Sequence, residues 1–194
     1  MSSHSMSEYD AFGMLNLANA ITTNVWDLQD NAILSDSEPA YFANSLELLK
    51  SIDFNSVDIV TIAYGTNDFT SAKSLATVED ALRNSIETIK NKYPNIDIVI
   101  CSPTYRFWMD NNGNFLYDSN TREIGGAKLT EYIQLYKDIA SEYGLCFIDN
   151  YNGSGICYDN RTECFPSTDG THPNETGRQM IAENMAKELY KQFG

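Results

Sequence analysis

Three short apolar runs punctuate this chain, and each is followed by a stretch with helical periodicity. They are Val57–Tyr64 (VDIVTIAY), Ile96–Cys101 (IDIVIC) and Leu145–Asp149 (LCFID). Runs this short and rich in β-branched residues, with little polar alternation, suit strands covered on both faces, as in parallel sheets flanked by helices. Two helical stretches precede them. The first spans about residues 9–22, with Phe12, Leu15, Leu17, Ala18 and Ile21 on its apolar side; the second spans about 39–51, with Phe42, Leu46, Leu48 and Leu49. After the first run, Gly65-Thr66-Asn67-Asp68 reads as a turn. Thr77 with Asp80 three residues later approaches a capping box for a helix carrying Leu82, Ile86 and Ile89, which stops near Tyr93-Pro94. A further helix is expected over about 127–143, ended by Gly144, and a last one over about 173–193. Helix, helix, then three strand–helix units is the pattern of an α/β parallel sheet between helices. With no repeat, linker or low-complexity block, residues 1–194 read as one domain.

Composition narrows the partners. The formal charge is −14, from 27 acidic and 13 basic residues, and no Lys/Arg cluster is present. A nucleic-acid or anionic-membrane partner is therefore not expected. No apolar run reaches the ~18 residues needed to span a bilayer. Met1–Asp10 carries no signal-peptide core, which leaves the compartment open. Of four cysteines, Cys101 and Cys146 lie in strand runs as small hydrophobes. Cys157 and Cys164 flank a polar loop and suit either a disulfide or two free thiols.

Parallel sheets bind ligands at the carboxyl ends of their strands, and Asn67, Arg106 and the loop before Asp169 all fall there. There are two histidines. His4 lies in a polar terminus, whereas His172 follows Asp169 by three residues across a glycine, just ahead of the last helix. That spacing lets the carboxylate fold back onto imidazole Nδ1, fixing the tautomer that leaves Nε2 as a base. Asp169 can equally be a residue that shapes the helix start. Asn67, at the end of a buried strand, can donate to a developing oxyanion, or simply occupy a demanding turn position. Asn112-Gly113 signals a hairpin between aromatic stretches, with Phe107, Trp108, Phe115 and Tyr117 either capping a pocket, with Arg106 facing substrate, or packing a long loop. Asp110–Asn114 has its Gly too early and no closing Glu for a calcium loop, so no metal is implied.

Taken together, AYGTND (Ala63–Asp68) and DGTHPNETGRQMIAENMA (Asp169–Ala186) resemble the third and fifth conserved blocks of the SGNH/GDSL serine hydrolases, and the resemblance covers about residue 57 to the end. It implies a three-layer α/β/α, flavodoxin-like parallel sheet. It also implies Asn67 as oxyanion donor, His172 as general base, Asp169 as its orienting acid, no cofactor, and a small-molecule ester substrate such as an acetylated carbohydrate, short-chain ester or lipid. Asp68 is expected to hold the turn together. The chain departs from the family at its start, where a strand ending in Gly-Asp-Ser, a second strand and a block-two Gly are expected. Ser35-Asp36-Ser37 is the nearest imitation, but it lies too close to Asn67 and Ser37 suits a helix N-cap. Ser2, Ser3, Ser5 and Ser7 have no strand ahead of them to hold a nucleophile rigidly. The expectation is a sheet lacking its first two strands, Met1 falling in or just after the second block, and a chain that an active-serine probe does not label unless extended upstream. Loss of those strands leaves the edge of 57–64 open, so pairing with a second copy into a homo-oligomer is expected. The alternative to a hydrolase is a fold remnant or carbohydrate-binding module without the nucleophile.

Overall fold

The computed structural model describes residues 11–23 and 49–194. In chain order these form α1 (Ala11–Thr23), β1 (Ile59–Ile62), α2 (Thr66–Thr70), α3 (Leu75–Lys92), β2 (Asp97–Cys101), β3 (Phe107–Met109), β4 (Phe115–Asp118), β5 (Glu123–Ile124), β6 (Ala127–Lys128), α4 (Leu129–Glu142), β7 (Cys146–Ile148), α5 (Asn150–Gly153), α6 (Arg161–Cys164) and α7 (Glu175–Phe193).

The three apolar runs become a parallel sheet in the order β1-β2-β7, with Ile59 opposite Asp97 and Val99 opposite Cys146. Alternation along β2 divides the core. Ile98 and Ile100 join the large cluster of Met14, Ala18, Leu82, Ile86, Tyr136 and Ile139 from α1, α3 and α4. Val99 and Cys101 join Ile148 on the other face, where Met185 and Leu189 of α7 cover them. Helices therefore lie on both faces, the three-layer α/β/α architecture, and each fully buried aliphatic contributes about 1.5–3 kcal/mol. Among the described residues β1 has a strand partner on one side only. No described helix is long and apolar enough to cross a membrane.

Several local expectations are corrected. Residues 65–68 are not a bare turn: Gly65, at φ 115°, is the N-cap of the short helix α2. Helix α3 begins at Leu75, two residues before Thr77, because Ser74 accepts the Thr77 N–H at 3.1 Å and Leu75 packs onto the core. Ala127-Lys128 does not open the next helix; it pairs with Glu123-Ile124, and α4 starts at Leu129. The long loop before Asp169 contains α5 and α6, each a single turn. The aromatic hairpin forms as β3–β4 and packs: Phe107 is buried against Phe115 and Phe165. Asp110 holds its tip by accepting the Asn112 and Asn114 N–H groups, and no described cluster of side chains could hold a metal ion. All four cysteines are free thiols, so the Cys157–Cys164 bridge does not form. Except for its last residues, the helix expected over 39–51 lies outside the described residues, as do His4, Ser37 and the serines before residue 8.

Candidate active site

Two loops at the carboxyl end of the sheet carry the site. The first follows β1. Asp68 and Phe69 are completely buried. The Asp68 carboxylate accepts the Ala11 N–H at 2.8 Å, at the positive end of the α1 dipole. Phe69 sits edge-on to Tyr132 and Trp108, with centroids 5.9 and 6.1 Å apart. Beneath Gly65 lies the fully buried Tyr136; a Cβ there would approach its ring and hydroxyl to 3.2 Å, and the φ of 115° is one that side chains rarely adopt. Burial first, then the nearby Asp68 charge, keep the Tyr136 phenol protonated. On this base Asn67 is half-buried and lines a cleft of about 450 Å³ with Tyr64, Thr104, Asn150, Ile181 and Met185.

The second loop enters α7. Asp169 Oδ1 accepts the N–H groups of Thr171 (2.7 Å) and His172 (3.1 Å), while Oδ2 lies 2.6 Å from His172 Nδ1. With the proton on Nδ1, Nε2 is the nitrogen left with a lone pair. Partial burial pushes the Asp169 carboxyl up, but the Thr171 N–H and His172 bonds outweigh it and hold it below its ordinary range. The helix start is built by a different residue: the Asn174 side chain caps α7 by accepting the Gly177 N–H at 3.1 Å. The carboxylate thus spans the turn onto the imidazole, as the spacing allowed, instead of capping the helix.

Of the two readings of Arg106, facing substrate or belonging to a packed loop, its burial favours the second. It is 4% exposed, and its guanidinium reaches both loops: Nη1 donates to Thr70 Oγ1 (2.5 Å) and points at Thr66 O (3.5 Å), and Nη2 donates to Thr171 Oγ1 (2.8 Å). The side chain thereby ties Thr70, three residues after Asn67, to Thr171, the neighbour of His172. Sequence reading missed this bridge because the two hydroxyls lie 36 and 65 residues from Arg106 along the chain and leave no spacing signal. Beside the second loop, the β3–β4 hairpin and residues 167–171 enclose a polar groove of about 650 Å³, lined by Asn111, Asn112, Ser167, Thr168 and Asp169. Among the described residues no serine hydroxyl is hydrogen-bonded to His172.

Comparison with known families adds a decisive observation: the model of the GDSL-like lipase/acylhydrolase family matches residues 22–180. The chain belongs to this family. Members of the GDSL-like family act on carboxylic esters, and solved structures of the same fold agree with the architecture. A possible lipase from Chitinophaga pinensis aligns at 18% identity with a TM-score of 0.56, over 77% of either chain. A peptidoglycan O-acetylesterase aligns at 23% and 0.54, over 79% of this chain and 41% of its own. A carbohydrate acetylesterase from Sinorhizobium meliloti aligns at 17% and 0.51, over 71% and 62%. No curated protein sequence matches significantly.

Proposed function

We propose that this GDSL-family chain hydrolyses carboxylic esters through an acyl-enzyme formed on a serine. The observation that carries the reading is the 2.6 Å contact of Asp169 with His172 Nδ1, on a loop tied to the one bearing Asn67. In this scheme His172 Nε2 takes the serine proton as the hydroxyl attacks the ester carbonyl, then returns it to the departing alkoxide; Asp169 steadies the imidazolium. Asn67 donates to the oxyanion from the cleft side, a contribution of ~3 kcal/mol to the barrier. A water activated by the same nitrogen then releases the acid. No cofactor enters the scheme.

The polar groove beside Asp169 favours a hydroxyl-rich leaving group, which ranks acetylated carbohydrates ahead of short-chain esters and lipids. The serine is the open element, and with it the competing reading of a carbohydrate-binding remnant. The protein as its gene encodes it should react with a fluorophosphonate on one serine, and His172→Ala should abolish the reaction. Labelling of the 194 residues by themselves would show that they include the nucleophile. A gene product that neither reacts with the probe nor cleaves acetyl esters, while still binding glycans, would favour the remnant.

The edge of β1 supports one further element: Ile59–Ile62 is uncharged and adjoins an apolar groove of about 290 Å³. Pairing of two copies along that edge should give a dimer by light scattering that Val60→Lys dissociates; a monomer at all concentrations would rule it out.

A further inference from the structure

We propose that Arg106 is a positioning residue that holds the Asn67 loop and the Asp169–His172 loop in register with each other. The inference rests on the reading of those residues as the ester-hydrolysing site. It begins from an imbalance: a guanidinium is costly to bury, and ordinarily a carboxylate compensates it. Here the hydrogen-bond acceptors are two threonine hydroxyls and a carbonyl, one set on α2 and one beside His172. Asp169 acts on the charge only from longer range, and Nε has no partner among the described residues. Burial draws the pKa down to about 10, with Arg122 in the same direction and Asp169 opposing, so the group stays charged at neutral pH. The Trp108 face, 4.6 Å from the guanidinium carbon, supplies part of the lost solvation.

What the charge secures is geometry. The two terminal nitrogens of a guanidinium are fixed in one plane, so anchoring Nη1 on Thr70 dictates where Nη2 meets Thr171. A lysine ammonium has a single nitrogen and cannot serve both loops in this way. The adjacent residue repeats the registration through the backbone: Phe107 N–H donates to Gly170 O at 3.0 Å. A Cβ on Gly170 would lie 2.3 Å from the Phe107 carbonyl oxygen, so the second loop can approach β3 only with glycine there. Arg106 and Phe107 together set the height and angle at which His172 faces the rim. A residue that merely filled space would need neither the fork nor the charge.

The test reads position without substrate, so it stands or fails separately from ester hydrolysis. In the 194-residue chain with ¹⁵N-labelled histidine and asparagine, and with His4→Gln for assignment, the His172 Nδ1–H proton bonded to Asp169 should give a low-field resonance. Arg106→Met should abolish it and shift the Asn67 side-chain amide signals, with circular dichroism and melting still cooperative. Thr171→Val should lose the His172 resonance and leave the Asn67 amide in place, while Thr70→Val should do the reverse. Arg106→Lys should restore one signal and not both. A folded Arg106→Met variant in which both signals keep their wild-type positions overturns the proposal. If that variant does not fold, an unchanged His172 resonance in Thr171→Val overturns it equally.

Discussion

The two loops that meet at Arg106 are built on opposite plans. The Asn67 loop stands on the core: its next two residues, Asp68 and Phe69, are completely buried, and Tyr136 fills the space beneath Gly65. The His172 loop stands outside it. The imidazole is 83% exposed, and its direct side-chain hold is a carboxylate three residues away. One half takes its geometry from packing shared with the whole domain; the other takes it from a turn that closes on itself and from the ties of Thr171 to Arg106 and of Gly170 to Phe107. Stability and site geometry are therefore inseparable in the first loop and separable in the second.

The largest expected effect exploits the second loop. Asp169→Asn should lower ester-hydrolysis kcat/KM by about 10⁴-fold, because the amide favours the wrong imidazole tautomer. The melting temperature should move little, since the pair is solvent-facing. A large drop in melting temperature would show that the turn is structural and break the contrast. Next comes Phe69→Ala in the first loop, which should cost ~3–5 kcal/mol of folding stability in a denaturant titration, through the cavity left between Tyr132 and Trp108. Unchanged stability would mean that the Asn67 loop does not stand on the core. Asn67→Ala should then lower kcat by about 10²–10³-fold with little change in KM, as loss of one oxyanion donor does. A rise in KM with kcat preserved would instead make Asn67 a ground-state substrate contact.

The same contrast governs what the sequence made legible. The sheet was readable because Val57–Tyr64, Ile96–Cys101 and Leu145–Asp149 are apolar on both faces, and the dyad because Asp169 and His172 are close along the chain. Helix starts were misplaced where two capping residues competed, as Ser74 did with Thr77, or where a Gly-Gly hairpin satisfied backbone groups first, as at Gly125-Gly126. Asp68 was expected to hold its own turn together; that its carboxylate accepts the Ala11 N–H, 57 residues away, was not readable. Arg106 was placed at a strand's carboxyl end, with its direction left open between substrate and packing. Its acceptors lie in α2 and before α7, and only the folded sheet brings them within reach of one side chain.

The smallest expected effect is a titration, and it isolates the second loop most cleanly. Asp169 is held below its ordinary range by bonds donated to its charged form, against the upward push of burial. Its folded pKa is depressed, so the bond to His172 and the stability it adds are fully present above the unfolded carboxylate value, about 3.9. Both are lost as pH falls through the lower folded value. Followed by the ¹³C shift of the Asp169 carboxyl, the midpoint should therefore lie below ~3.9. Asp110 provides an internal control, since bonds from the Asn114 side chain and backbone lower it without any histidine. His172→Ala removes the imidazole bond and the imidazole charge at Asp169 and nothing at Asp110, so the first midpoint should rise part of the way and the second should stay. The rise should be partial because the Thr171 N–H, the strongest of the bonds that lower Asp169, remains. If both midpoints are unmoved, the 2.6 Å contact contributes nothing to the charge on Asp169, and the exposed loop must be ordered by its backbone turn and its bonds to Arg106 and Phe107.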